Sequence, residues 1–330
     1  MPRVLLTGST GFLGQHLLRQ LVDSGVQVAA LYRNADAAES LRAQGAQPVR
    51  GDVTDAASLA SALREPTDAI FHSAADTSVW KRGNDAQTRT NVEGARNIIA
   101  AVRDHDVKRL VHTSSVAAFG HVDGQALVET LPRAGVDSWI NYERTKALAE
   151  NLVREAVVRG EIDAVILNPA HIMGPGDRYN WTRLILLLDK DQLPGAPPGS
   201  GAFADVREVA RAHVVAWQRG RSGESYLLGG DYVSFFDLLT RLAAAIGCPP
   251  PRRALPKSFL HLYAKMLELA ASVTGKPPRL TPEGAALTSQ HLRVDSSKAV
   301  AELGYAPTPL DILVRDTIAW LRTEGLLRPR

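Results

Sequence analysis

"LLTGSTGFLGQHLL" (residues 5–18) sets Gly8, Gly11 and Gly14 three residues apart, between an apolar run and a helical pattern. "RVLLTG" (3–8) reads as a buried strand. Phe12 to Ser24 reads as a helix with Phe12, Leu13, Leu17, Leu18, Leu21 and Val22 on one broad face, ended by Gly25. At a strand-to-helix turn each glycine has a physical use. Gly8 permits a tight turn, Gly11 lets backbone N–H groups approach a pyrophosphate, and Gly14 lets the helix pack close to the strand. The spacing is G-x-x-G-x-x-G, not G-x-G-x-x-G, and the bland alternative is a glycine-rich turn ahead of a core helix.

Working outward, short apolar runs alternate with helix-length stretches. Strands are expected at 26–33, 46–52, 68–75, 108–115 and 163–170. Helices are expected at 39–44, 58–65, about 90–104 and 142–159. This alternation predicts an α/β fold, a Rossmann-type doubly wound parallel sheet with helices on both faces. After Pro169 proline and glycine become dense ("GPGD", "LPGAPPGSG", "GCPPPRR", "GKPPRLTPEG"). Between them helices are expected near 181–188, 207–218, 235–246, 257–273 and 310–324. The expected organisation is a dinucleotide-binding domain over 1–170, with returns from about 203–230, and a smaller helix-rich C-terminal substrate lobe over 171–330.

The totals exclude several classes. The 330 residues carry 38 basic and 35 acidic side chains, a net +3, with no basic block of the kind nucleic-acid binding needs. One cysteine, Cys248, excludes an intrachain disulfide and a cysteine metal cluster, and no metal site is expected. The N-terminus leads straight into a strand-like run, and the apolar stretches "LILLL" and "FLHLYAKMLELAASV" are shorter than a membrane span. The expectation is a cytoplasmic chain without an integral membrane segment. "FLHLYAKMLELAASV" reads as a packed lid or core helix, because His261, Lys265 and Glu268 interrupt it; a peripheral membrane-contact helix is the alternative.

The second strand ends Leu31-Tyr32-Arg33-Asn34. An NAD site usually has an acid at that tip to bind the ribose 2′-hydroxyl; here Asp36 comes later, in the loop. Arg33 offers a guanidinium fork suited to a 2′-phosphate, so NADP(H) is expected, with NAD(H) as the alternative.

Further along, "VHTSSVAAFG" puts Ser114 and Ser115 at the end of the fifth strand, and "NYERTKA" puts Tyr142 and Lys146 on one helix face. With "TGSTGFLG", "GDVTD", "FHSAA" (71–75), "NVEGARN" (91–97), "NPAHIMGPGD" (168–177) and "FADVREVARAH" (203–213), these pieces resemble the extended short-chain dehydrogenase/reductase superfamily, in family order from residue 1 to about 215. The resemblance implies that Tyr142 is the general acid–base. Lys146 favours its phenolate and binds the nicotinamide ribose, and Ser115 polarises the substrate carbonyl, with Ser114 as the alternative one residue away. It implies that Gly8, Thr10, Gly11, Phe12, Leu13 and Gly14 form the cofactor loop. Arg33, Asp52 and Val53 lie at the adenosine end, Ala74 and Ala75 under the cofactor, and Pro169 beside the nicotinamide. Asn91 is expected to be structural or proton-relaying, and a homodimer through the Asn91 and Tyr142 helices is implied.

Within the superfamily, the nucleotide-sugar branch carries an arginine before the phenylalanine of an R-D-F-type stretch. Here Gly201 stands in that place ("GSGAFADVREVARAH"). "FHSAADTSVW", "RTNVEG" and "DVREVARAH" resemble the dihydroflavonol reductase and 3β-hydroxysteroid dehydrogenase branch. The expected pocket residues are Thr77, Trp80, Phe119, His121, Trp139, His171, Met173, Tyr179 and Trp181. They are mostly apolar or aromatic, which suits a small-molecule hydrophobic ketone or aldehyde. Each could equally be core packing. The expected activity is NADPH-dependent carbonyl reduction. The rivals are an NAD-dependent nucleotide-sugar epimerase or dehydratase and a non-catalytic NADP(H)-sensing regulator.

Overall fold

The computed structural model describes residues 1–122 and 124–329. The chain begins β1 (Arg3–Thr7), α1 (Phe12–Asp23), β2 (Gln27–Tyr32), α2 (Ala37–Ala43), β3 (Gln47–Arg50), α3 (Ala56–Ala62) and β4 (Ala69–His72). It continues with α4 (Asn84–Thr88), α5 (Gly94–Asp104), β5 (Arg109–Thr113), β6 (Ala126–Leu127), α6 (Asn141–Val158) and β7 (Ala164–Pro169). Next come β8 (His171–Met173), α7 (Trp181–Asp189), β9 (Ser200–Asp205), α8 (Val206–Arg219) and β10 (Ser225–Leu228). The last elements are β11 (Asp231–Ser234), α9 (Phe235–Ile246), α10 (Lys257–Thr274), α11 (Pro282–Leu287), β12 (Arg293–Val294), α12 (Ser297–Leu303) and α13 (Leu310–Thr323).

Seven strands form one parallel sheet in the order β10-β7-β5-β4-β1-β2-β3. The two-residue period of each strand sends neighbours to opposite faces. Val4, Leu6, Phe71, Val111 and Leu167 therefore pack against Leu17, Leu21 and Val209 from α1 and α8. Leu5, Ile70, Leu110 and Ile166 pack against Ile98, Val102 and Val153 from α5 and α6. Both faces are covered, as the doubly wound reading requires. The chain runs outward from β1 in both directions, so the strand order reverses between β1 and β4. A crevice opens there at the carboxyl ends of the strands.

The region after β7 does not stay apart from this sheet. α8 packs on it, and β10 becomes its edge strand. β9, in contrast, joins a second sheet, parallel to β8 and antiparallel to β11. A separate core of Met173, Ile185, Phe203, Phe235, Leu238 and Leu313 ties β8, β9, α7, α9 and α13 together.

Several local expectations shift. The strand expected over 68–75 ends at His72, and the one over 108–115 ends at Thr113; the residues beyond form the site loops. The helix expected from about Thr90 begins at Asn84 and passes through a π-helical turn at Arg89–Glu93. β6, β8, β11 and β12 hold two to four residues each, too few to show a period. The core-helix reading of "FLHLYAKMLELAASV" is corrected. α10 buries Leu260, Ala264 and Ala271 but leaves Leu262, Met266 and Leu269 61–70% exposed. Among the described residues no helix is long and apolar enough to cross a membrane.

Candidate active site

The glycine loop fits tightly against its neighbours. Gly8 has a φ of +72°, and a Cβ there would lie 2.7 Å from the Ala74 nitrogen; one on Gly14 would lie 2.0 Å from the Gly8 carbonyl oxygen. Both obstructions are backbone, so neither position admits a side chain without moving the loop. Gly11 caps α1 with no side-chain hydrogen bond, which leaves backbone N–H groups of the first turn facing outward. Thr10 and Gly11 are exposed, and Phe12 and Leu13 are half-buried. This is a fitting cradle for a dinucleotide pyrophosphate at the sheet's switch point. Two residues that sequence reasoning missed hold it. The buried Ser9 hydroxyl donates to the Leu31 carbonyl at 2.8 Å, and the Ser73 hydroxyl donates to the Thr7 carbonyl at 2.7 Å.

At the tip of β2, Arg33 is exposed, and its Nη1 lies 3.7 Å from Asp52 Oδ2. Two of the three residues expected at the adenosine end, Arg33 and Asp52, are thus brought together. Asp52 also accepts from the backbone N–H and hydroxyl of Thr54, both at 2.9 Å. Val53 is buried, and its carbonyl accepts from Asn97. Ala74 abuts Gly8 and donates its N–H to Thr7 Oγ1 at 3.2 Å, while Ala75 is exposed. Pro169 ends β7 and is buried.

The serine, tyrosine and lysine expected to do chemistry converge where β5 ends and α6 begins. Ser115 leaves the strand extended and accepts from the Ala117 N–H at 3.1 Å. Tyr142 is half-buried; burial raises its pKa above the ordinary phenol value, and the facing Ser115 works the other way. Lys146 is buried one turn along. Its Nζ donates to the Thr113 carbonyl at 2.8 Å, and desolvation pulls its pKa to about 8 against the opposing pull of Glu150. Tyr142 is therefore a neutral phenol with a proton to give at neutral pH, beside a lysine close to its own titration.

The two candidate serines point to different partners. Ser114 is buried and donates to Glu150 Oε2 at 2.6 Å. Asn168 donates to the same oxygen at 2.6 Å and to the Ser115 carbonyl at 3.1 Å. Arg133 Nε meets Glu150 Oε1 at 2.5 Å, with the guanidinium 4.1 Å from the Phe119 ring centre. This buried network supports the Ser115 backbone from behind, and Ser115 alone of the pair faces Tyr142. No local pattern reveals it, since Arg133 and Glu150 are separated by a loop.

Asn91 sits within the π-helical turn, a feature often found beside functional sites. It accepts from the Asp76 N–H at 2.8 Å, donates to the Asp76 carbonyl at 2.9 Å and donates to Thr145 Oγ1 at 3.0 Å. Two of these bonds hold the loop after β4 and the third reaches α6, so Asn91 ties the two together. The buried Gln87 adds bonds to the Asp76 and Ser78 carbonyls and accepts from Asn141.

The pocket expectation divides. His171, Trp181, Phe203 and Phe235 form one aromatic cluster, with centroid distances of 4.8–6.1 Å. Burial drives His171 to a pKa of about 4, so the ring is neutral. A Cβ on Gly201 would lie 2.2 Å from His171 Cδ2, so the ring fills the space a side chain there would need. Thr77, Trp139 and Tyr179 are exposed, as is His121, and Trp80 is half-buried with Arg82 over its ring. Phe119 and Met173 are corrections: both are fully buried in hydrophobic cores and cannot face a substrate.

A parallel sheet with a glycine-rich pyrophosphate cradle and a convergent serine, tyrosine and lysine defines a nicotinamide-dependent enzyme of hydroxyl and carbonyl groups. The model of the NAD dependent epimerase/dehydratase family matches residues 4–229, and the chain belongs to that family. It is similar to the "Putative dihydroflavonol 4-reductase" of Synechocystis sp., with 33% identity over 98% of this chain and 95% of that one. It is also similar to "Sterol demethylase protein B" of Methylococcus capsulatus, with 32% identity over 98% and 99%. Among solved structures, the crystal structure of gox2253 superposes with a TM-score of 0.84 at 32% identity, covering 99% of this chain and 100% of that one.

Proposed function

We propose that this chain is an NADPH-dependent carbonyl reductase acting on a hydrophobic ketone or aldehyde. The observation that carries the substrate class is the place of Gly201. There the resemblance would put a diphosphate-gripping arginine in a nucleotide-sugar enzyme. His171 fills that space, backed by Trp181, Phe203 and Phe235. His171 and Trp181 are the partly exposed members of this cluster, with Phe203 and Phe235 in the core behind them; a neutral aromatic surface suits an apolar ring system and gives a diphosphate no counter-charge. The similarity to proteins named for a dihydroflavonol and a sterol supports the same class.

When bound, NADPH would supply a hydride to the substrate's carbonyl carbon. The Ser115 hydroxyl donates to the substrate carbonyl oxygen and polarises it. Tyr142, held protonated by burial, donates its phenolic proton to that oxygen. Lys146 brings a positive charge one helical turn away, which offsets the phenolate left behind. Arg33, exposed at the tip of β2, would bind the 2′-phosphate, and this supports NADPH over NADH.

The test is NADPH consumption across a panel of aromatic and polycyclic ketones and aldehydes, with UDP- and dTDP-sugars as the contrasting set. Turnover of the first set is expected, with Tyr142→Phe losing about 10²–10⁴-fold in kcat/KM while still binding NADPH. Isomerisation of a nucleotide sugar without net cofactor consumption, or full activity in Tyr142→Phe, would overturn the reading.

A further inference from the structure

α10 carries two unlike faces. Leu260, Ala264 and Ala271 are buried, with Ala264 and Leu260 packed on Leu255, Leu280 and Ala285. On the opposite side Phe259, Leu262, Tyr263, Met266, Leu269 and Val273 are 39–85% exposed. At 100° per residue these six fall on one continuous stripe along a helix about 27 Å long. A run of large apolar side chains of this extent is not a random feature of a soluble surface.

Charge identifies what covers it. Residues 250–280 hold six basic side chains, Arg252, Arg253, Lys257, Lys265, Lys276 and Arg279, and one acid, Glu268, a net +5. The whole chain is +3, so the remainder is −2. All six cations are exposed; five lie at the two ends of the helix, and Lys265 stands beside the stripe in its middle. Glu268 is neutralised by Lys81 at 3.2 Å, and the neighbouring Arg82 donates to the Ser272 carbonyl at 3.1 Å. A second copy docked through this stripe would bring two such +5 surfaces together, an arrangement that like charges oppose.

We infer that α10 lies on an anionic bilayer surface, its apolar stripe at the headgroup–acyl boundary and its flanking lysines and arginines against acidic headgroups. An amphipathic helix with an apolar face and basic residues at its ends binds in this way. The helix lies on the membrane and does not span it. The inference is independent of the carbonyl-reductase reading, because its test measures binding and not turnover.

The experiment is flotation of the full-length chain with vesicles of equal parts phosphatidylcholine and phosphatidylglycerol, and with vesicles of phosphatidylcholine alone. The chain is expected to float with the anionic vesicles and largely not with the neutral ones, and added salt is expected to release it. The triple variant Leu262→Ser, Met266→Ser, Leu269→Ser touches only exposed positions and is expected to abolish flotation with an unchanged melting temperature. Lys265→Glu and Lys276→Glu are each expected to lower the partition constant at least about fivefold, the effect of losing one cation near the surface. No flotation with anionic vesicles, or flotation unchanged in the triple variant, overturns the inference. So does a concentration-dependent dimer that the triple variant dissolves, which would assign the stripe to a second copy.

Discussion

Replacing Glu150 with glutamine keeps the shape of the side chain and removes its charge. In the native chain the Glu150 side chain is fully buried and that of Arg133 is 5% exposed, with 2.5 Å between Nε and Oε1. Glu150 Oε2 meanwhile accepts from Ser114 and Asn168. A glutamine amide must aim its NH2 either at the Arg133 Nε or at Ser114 and Asn168; the serine hydroxyl can turn to accept, but the Arg133 or the Asn168 contact becomes donor against donor. The guanidinium also loses its counter-charge while remaining buried against Phe119. Breaking a buried pair from one side costs about 3–5 kcal/mol. For a chain of this length that is a fall in melting temperature of about 4–7 °C. Differential scanning calorimetry or a urea series reads it directly. The double variant Arg133→Met, Glu150→Met removes both charges and is expected to recover much of the loss. The pair also bears on the site: Glu150 raises the pKa of Lys146, so Glu150→Gln is expected to move the basic limb of the activity profile to lower pH. A loss under about 1 kcal/mol, the range of solvated surface pairs, would refute the reasoning. A double variant no more stable than the single one would assign the loss to shape and not charge.

Gly201→Ala sets a Cβ 2.2 Å from the His171 ring and is expected to destabilise by about 1–3 kcal/mol; adding His171→Ala should relieve the clash, as paired thermal melts would show. Arg33→Ala is expected to weaken NADPH binding about 10–100-fold relative to NADH, the scale of a lost charged hydrogen bond, as measured by cofactor fluorescence titration. The buried Lys146 titrates near 8 in the folded chain and near 10.5 when unfolded, so above pH 8 the unfolded state binds more protons and folding is favoured as pH rises. Relative to Lys146→Met, wild-type stability is therefore expected to climb by about 2–3 kcal/mol between pH 8 and 10; a flat difference in urea denaturation over that range would exclude a buried, desolvated ammonium.

The parts of this protein that were legible beforehand are those written in short-range spacing. Three glycines between a strand and a helix specify a tight strand-to-helix turn, because close backbone approach at Gly8 and Gly14 leaves no room for a Cβ. Tyr142 and Lys146, four apart, must share a helix face. Apolar runs alternating with amphipathic helices commit the chain to a parallel sheet covered on both sides. The rest depended on residues far apart in the chain. Adjacent positions on an extended backbone face opposite ways, so only the packed structure separates Ser114, turned to Glu150, from Ser115, turned to Tyr142. Phe119 and Met173 look like pocket residues until the cores that close over them are assembled. In the sequence Gly201 marks only the place of an absent arginine; the fold sets the His171 ring 2.2 Å from where its Cβ would stand. Sequence pattern carries the period of each element; which side chains then meet across elements is decided by how the elements pack.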